Sequence, residues 1–264
     1  MSARATTIAP RDTVSAAIRE AVRQRGRPAV VAFATAGFPD RAGFVRNLQA
    51  IASEADVVEI GVPFSDPMAD GATIQRASFA ALRDGFTLPW LLGELEAMRP
   101  RPRAPLLLMS YLNPLLAFGL GRLPDAAARA GVSGFIIPDL PYEESAEMRT
   151  ALDRAGVALV QMVTPVTPAP RLRMLCEASQ GFVYAVTMTG TTGKSVAVPD
   201  EVLEYMDRVR AVSRVPVCAG FGIRSREQVA RMQGHVDGVV VGSALVEVLE
   251  RGEDPAAFVR TLKG

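Results

Sequence analysis

One glutamate, Glu59, stands inside an otherwise apolar run, flanked by Val58 and Ile60. A carboxylate in such a run either points into a polar opening or is buried, which costs on the order of several kcal/mol unless it is paired. Both readings are open from the residues alone: an acid–base group whose pKa is raised by desolvation, or half of a structural ion pair. Two more carboxylates follow in VPFSDPMADG, Val62 to Gly71. Taken alone, Asp66 before Pro67 and Asp70 before Gly71 read as turn formers. The chain has a single histidine, His235, and two cysteines, Cys176 and Cys218. A His-rich metal site is therefore excluded, and acid–base work falls to carboxylates or tyrosine.

A second chemical signal lies nearer the C-terminus. Gly220-Phe221-Gly222-Ile223 and Gly242-Ser243 each follow a short apolar run, and Ser243 opens an apolar helical pattern. Glycines let the backbone approach a ligand closely, and N–H groups at a helix start can point at a phosphate. The combination indicates a phosphorylated ligand without specifying a reaction. Gly193-Lys194-Ser195 resembles the end of a nucleotide-binding P-loop, but Met188 occupies the position that requires the first glycine. That stretch reads better as a glycine-rich lid hinged at Gly190 and Gly193. His235 and Trp90 read as a surface or structural residue and a packing residue.

These groups need a scaffold, and the pattern supplies one. Apolar runs at Ala29–Thr35, Val57–Ile60, Leu106–Ser110, Gly134–Ile137, Ala158–Val163, Phe182–Val186, Val217–Ala219 and Gly238–Val241 lack polar alternation. Parallel strands covered on both faces have that character. Helical patterns intervene at Arg41–Ala52, Ile74–Asp84, Pro89–Met98, Leu123–Ala130, Glu143–Ala155, Ala169–Ala178, Pro199–Ser213 and Ser225–Met232. Two more follow, Ser243–Arg251 and Pro255–Leu262, and Gly131, Gly156 and Gly252 stand where left-handed helix caps belong. Eight strands with helical crossovers predict a (β/α)₈ TIM barrel, with an additional N-terminal helix at Asp12–Arg25 closing its bottom. No linker divides the chain, so residues 1–264 are expected to form one barrel domain. Chemistry in such barrels sits at the C-terminal strand ends, where Glu59, the Asp70 loop and both glycine loops fall.

Composition agrees with an enzyme of small molecules. Of 264 residues 49% are hydrophobic, and 29 Lys+Arg against 28 Asp+Glu leave a formal charge of +1. A nucleic-acid or membrane-surface binder needs a large basic excess on one face. Met1 to Pro10 lacks the apolar core of a secretory signal, no run is long enough for a membrane span, and both cysteines lie in apolar surroundings. A cytoplasmic location with reduced thiols is the expectation.

The stretch VVEIGVPFSDPMADGATIQ, Val57 to Gln75, resembles the tryptophan synthase α chain family. The likeness runs on through AFATAGFPD (Ala32 to Asp40), LMSYLNP (Leu108 to Pro114), GFIIPDLPYEES (Gly134 to Ser145), GFVY (Gly181 to Tyr184), TGTTG (Thr189 to Gly193), AGFGI (Ala219 to Ile223) and VGSALVE (Val241 to Glu247). The resemblance implies retro-aldol cleavage of indole-3-glycerol phosphate to indole and glyceraldehyde 3-phosphate, without metal or organic cofactor. It implies that Glu59 is the acid–base, that Asp70 holds the indole N–H, and that Tyr184 lies near the reacting carbons. By the same resemblance Phe33 and Tyr111 belong to the indole pocket, and Gly193, Gly222, Gly242 and Ser243 to the phosphate site. Thr192 matches a lid residue that meets the aspartate loop. The implied partner is a pyridoxal-phosphate-dependent β chain in an α₂β₂ tetramer, met by Pro63–Asp70 and Tyr111–Pro114, with Asp66, Pro67, Asn113 and Pro114 at the interface. Four positions depart from the family pattern: Ala72 replaces a usual proline, Met188 and Thr189 fall in a variable lid stretch, and Tyr142 replaces a small or apolar residue. Other readings share the fold: a stand-alone lyase releasing free indole, a non-catalytic barrel acting as allosteric partner, and the synthase that makes indole-3-glycerol phosphate. The last would use a strand lysine, and no predicted strand contains one.

Overall fold

Valine-rich runs without polar alternation are stable only when both strand faces are covered, and the chain meets that need by closing its sheet. The structure, a computed structural model, describes residues 9–187, 198–220 and 222–264. Its strands are β1 (Ala29–Thr35), β2 (Val57–Gly61), β3 (Leu106–Met109), β4 (Val132–Ile136), β5 (Ala158–Val163), β6 (Val183–Val186), β7 (Val217–Gly220) and β8 (Gly238–Val241). Neighbours pair in parallel and β8 returns to β1, giving a closed eight-stranded barrel without a free edge. The helices are α1 (Pro10–Arg25), α2 (Arg41–Glu54), α3 (Ala72–Arg83), α4 (Leu88–Ala97), α5 (Leu112–Phe118), α6 (Leu123–Arg129), α7 (Ala146–Arg154), α8 (Ala169–Ala178), α9 (Asp200–Val212), α10 (Arg226–Arg231), α11 (Ser243–Glu250) and α12 (Pro255–Lys263). None of the described helices is long and apolar enough to cross a membrane.

Alternate residues of each strand divide between two cores. Val31, Val57, Leu107, Ile136, Val160, Phe182, Cys218 and Val240 form an interior cluster with Val14, Ile18 and Ala21 of α1. Val30, Val58, Leu106 and Val239 face the outer layer and its helices. Helix α1 plugs the N-terminal end, where Val14 packs against Gly181 at the entrance to β6. Gly131, Gly156 and Gly252 have φ of 77°, 68° and 68°, a left-handed geometry that ends the preceding helices as their positions predict. Both cysteines are buried and unbridged. His235 Nδ1 lies 3.0 Å from each oxygen of Asp207, just before β8 and away from the C-terminal strand ends.

Beyond shifted element ends, two segments differ from the sequence expectation. Tyr111–Pro114, where the sequence pattern marks no helix, leads into α5, so Asn113 and Pro114 belong to a helix's first turn. Proline is tolerated there, and the capping acceptor is Asp139 Oδ1, which takes the Leu112 N–H at 2.9 Å from a distant loop. A cap supplied across the fold leaves no local signal. The helix expected over Glu143–Ala155 is interrupted: a 3₁₀ turn at Tyr142–Glu144 precedes α7. The Ser145 hydroxyl donates to the Tyr142 carbonyl at 2.6 Å, a local bond that competes with the continuing helix.

Candidate active site

Strand period two aims Glu59 inward, because Val57, two residues earlier, belongs to the interior cluster. Phe33 and Leu107 flank it in register on β1 and β3. The residue is 0% exposed, and neither carboxyl oxygen has a hydrogen-bond partner among the described residues. No structural ion pair holds Glu59 among the described residues. Burial, reinforced by the nearby Asp70 charge, pushes its pKa from 4.5 up to about 8. Buried polar atoms are almost always satisfied, so an unpartnered carboxyl in the barrel mouth marks a site where a ligand supplies the partner.

Asp70 reaches the same opening from the β2–α3 loop. Its pKa is raised by burial, against the Tyr111 hydroxyl bond, which lowers it. The Tyr111 oxygen also accepts the Ala69 N–H at 2.8 Å, and Gln75 Nε2 donates to the Asp70 carbonyl at 2.9 Å. Tyrosine and glutamine thus hold the loop on both sides of the carboxylate. Tyr184 faces inward on β6, and burial raises its hydroxyl pKa well above the usual value, with the Glu59 charge adding to the effect.

Room for the aromatic rings comes from glycines two residues beyond interior positions. A Cβ on Gly61 would fall 2.4 Å from Cζ of Phe33, and one on Gly220 would fall 2.2 Å from Cε1 of Tyr184. Gly220, placed by the sequence in an anion loop, serves Tyr184 instead. Across the mouth, Gly242 is the N-cap of α11, and its carbonyl accepts the Leu245 and Val246 N–H groups at 2.9 and 3.0 Å. The first N–H groups of that helix have no intrahelical acceptor, which makes its start an anion-binding end. Gly222, with φ 26°, adopts a left-handed turn facing open space.

Phe33, Glu59, Asp70, Tyr184, Gly222, Gly242 and Ser243 therefore line one cavity of about 260 Å³, together with Ile74, Met109 and Arg224. Tyr111 lines a smaller adjoining space with Phe33, Gly61 and Asp70. Thr192 and Gly193, with the rest of the glycine-rich stretch 188–197, lie outside the described residues. Asp66, Pro67, Asn113 and Pro114 do not line the cavity; Asp66 and Asn113 are exposed, and Pro67 and Pro114 are half-buried. The sequence reading missed Arg224, whose only sequence signal is its place two residues after Gly222.

The cavity joins a buried, unpartnered carboxyl, a second carboxylate, an apolar wall and the start of a helix. Comparison with known proteins agrees. The family model described as tryptophan synthase alpha chain matches residues 20–263. The tryptophan synthase alpha chain of Solidesulfovibrio magneticus is 45% identical over 240 residues, 90% of this chain and 94% of that protein. A structure of Mycobacterium tuberculosis tryptophan synthase superposes with TM-score 0.87 at 36% identity, covering 95% of this chain and 96% of that one. A chain from the Pyrococcus furiosus structure titled for mutual activation of the tryptophan synthase α₂β₂ complex gives TM-score 0.83 at 33% identity, covering 89% and 98%. With its barrel, its cavity and these relatives in agreement, the chain belongs to the tryptophan synthase alpha chain family.

Proposed function

We propose that the barrel mouth cleaves indole-3-glycerol phosphate by a retro-aldol route with Glu59 as acid and then base. The observation that carries this reading is the fully buried Glu59 carboxyl, unpartnered among the described residues and protonated up to about pH 8. Breaking the bond between indole C3 and the glycerol carbon requires a proton at C3, and the glycerol hydroxyl must lose one as the aldehyde forms. A carboxyl over both atoms can deliver the first proton and accept the second. Positive charge develops on the indole nitrogen as C3 is protonated, and an ionised Asp70 beside that N–H stabilises it. Phe33 supplies an apolar wall for the ring, Tyr184 packs near the reacting carbons, and Tyr111 holds the Asp70 loop.

The phosphate is assigned to the N–H groups around Gly222, Gly242 and Ser243, which anchor the substrate at a distance from the broken bond. Thr192 and Gly193 carry their lid and phosphate roles by resemblance alone. The segments Pro63–Asp70 and Tyr111–Pro114, which expose Asp66 and Asn113, are assigned to docking a pyridoxal-phosphate β chain in an α₂β₂ assembly, in the cytoplasm. Indole release from indole-3-glycerol phosphate by the purified chain, with and without a β chain, tests the reading. Wild-type protein should release indole and Glu59→Gln should not; equal release by both would remove Glu59 from the chemistry.

A further inference from the structure

The anion cup built from backbone N–H groups carries no full positive charge, while Glu59 and Asp70 place two carboxyls in the same cavity. Arg224 is the only arginine, lysine or histidine among the described residues lining that cavity. It stands two residues after Gly222, and its own N–H donates to the buried Gln228 Oε1 at 2.7 Å, inside the capping box that starts α10. The backbone from which the guanidinium projects is thus held by a hydrogen-bonded helix start. The side chain is held as well. Nη1 and Nη2 donate to Glu247 Oε2 and Oε1 at 2.8 and 3.0 Å. Glu247 lies one turn along α11 from Ser243, so the bridge ties Arg224 to the helix whose first N–H groups face the cavity. It uses two of the guanidinium's five N–H groups, and the planar fork suits a phosphate on its remaining edge.

We propose that Arg224 is a specificity residue for the phosphorylated substrate, clamping the phosphate against the Gly242–Ala244 turn, with Glu247 as its positioning residue. This deepens the functional reading above and rests on it for the identity of the substrate. The Arg224–Glu247 bridge is half-exposed on the arginine side, and such bridges contribute little to stability, so variants should fold. Arg224→Met should weaken glycerol 3-phosphate binding by about tenfold or more and raise KM for indole-3-glycerol phosphate similarly, leaving kcat within about threefold. Indole binding, measured by calorimetry in the same protein, should not change. Arg224→Lys should recover part of the phosphate affinity, because a point charge replaces the fork.

The charge swap Arg224→Glu with Glu247→Arg separates recognition from architecture. It restores the ion pair but removes the cation from the 224 position, so phosphate affinity should stay low. Recovery of wild-type affinity in the swap, or an Arg224→Met protein that binds glycerol 3-phosphate within about twofold of wild type, would overturn the proposal. Arg224-dependent binding of glycerol 3-phosphate by a chain that releases no indole would support it and sink the reaction assignment instead. A wild-type chain that neither binds glycerol 3-phosphate nor releases indole would overturn both.

Discussion

A carboxyl held neutral at neutral pH is useful as an acid and unfavourable for folding, and Glu59 shows both sides. Its folded pKa of about 8 lies above the ordinary 4.5, so the folded state binds the extra proton. The sign follows: stability is unaffected below about 4.5, declines as pH rises through the window to about 8, and is lower by a constant amount above it. Glu59→Gln should abolish that decline, making the variant more stable than wild type at pH 9 but not at pH 4, as thermal unfolding at the two pH values will measure. The same variant should lose cleavage by about 10²-fold or more, and activity within about tenfold of wild type would assign the acid to Tyr184. In the wild type kcat/KM should fall above about pH 8 as Glu59 ionises. Glu59 was legible in the sequence because a carboxylate in a valine run is anomalous wherever it occurs. The glycines were not. Gly61 and Gly220 matter because Phe33 and Tyr184 lie over them from the neighbouring strands, and that depends on register. Gly220→Ala should therefore displace the Tyr184 ring and impair turnover with the phosphate cup intact, leaving glycerol 3-phosphate affinity near wild type in calorimetry.

At the scale of elements, the Asp70 loop and α3 form one unit. Helix α3 begins at Ala72 rather than at Ile74, with Gly71 as N-cap at φ −71° and ψ 161°. Ala72 thus occupies the first helical position, where proline loses no hydrogen bond and its φ is already helical, and Gly71 has the extended geometry that must precede a proline. Ala72→Pro should stabilise the chain by about 0.4–1 kcal/mol by restricting the unfolded state, a rise of a few degrees or less in Tm by calorimetry. A destabilised variant would mean that the loop backbone at Ala72 is not what these angles describe. Asp70→Asn keeps the loop contacts and removes the charge, and should cost on the order of 10²-fold or more in cleavage. An unchanged rate would reduce Asp70 to the turn former its sequence context allows. The strands were readable because both of their faces are buried, and the glycine caps because they are local. Helix α5 was not, since its capping carboxylate Asp139 is 27 residues away, and the Ser145 break in front of α7 turns on one side-chain bond.

In the whole molecule, apolar surface is left uncovered at the active-site end of the barrel. Four large apolar side chains are exposed among the described residues, and two of them, Met68 at 82% and Leu116 at 47%, lie on the Asp70 loop and on α5. Exposed apolar side chains on adjoining segments are the usual mark of an interaction surface. Met68 stands two residues before Asp70, and Leu116 lies five residues after Tyr111, whose hydroxyl contacts Ala69 and Asp70. A partner seated on both segments would bear on one connected unit: loop, tyrosine and carboxylate. It would favour the arrangement with Asp70 held in the cavity, raising cleavage by a population shift without adding a catalytic group. Adding a β chain should accordingly raise the rate of indole release by about tenfold or more, within the few kcal/mol available to such coupling. Met68→Glu combined with Leu116→Glu should abolish that activation and the complex while leaving the basal rate of the isolated chain in place, because neither side chain lines the cavity. Sedimentation measures the complex and indole fluorescence the rate. A rate that stays flat when a β chain is added, with no complex sedimenting, would leave the chain a stand-alone lyase. Activation that survives both substitutions would move the docking face elsewhere on the barrel.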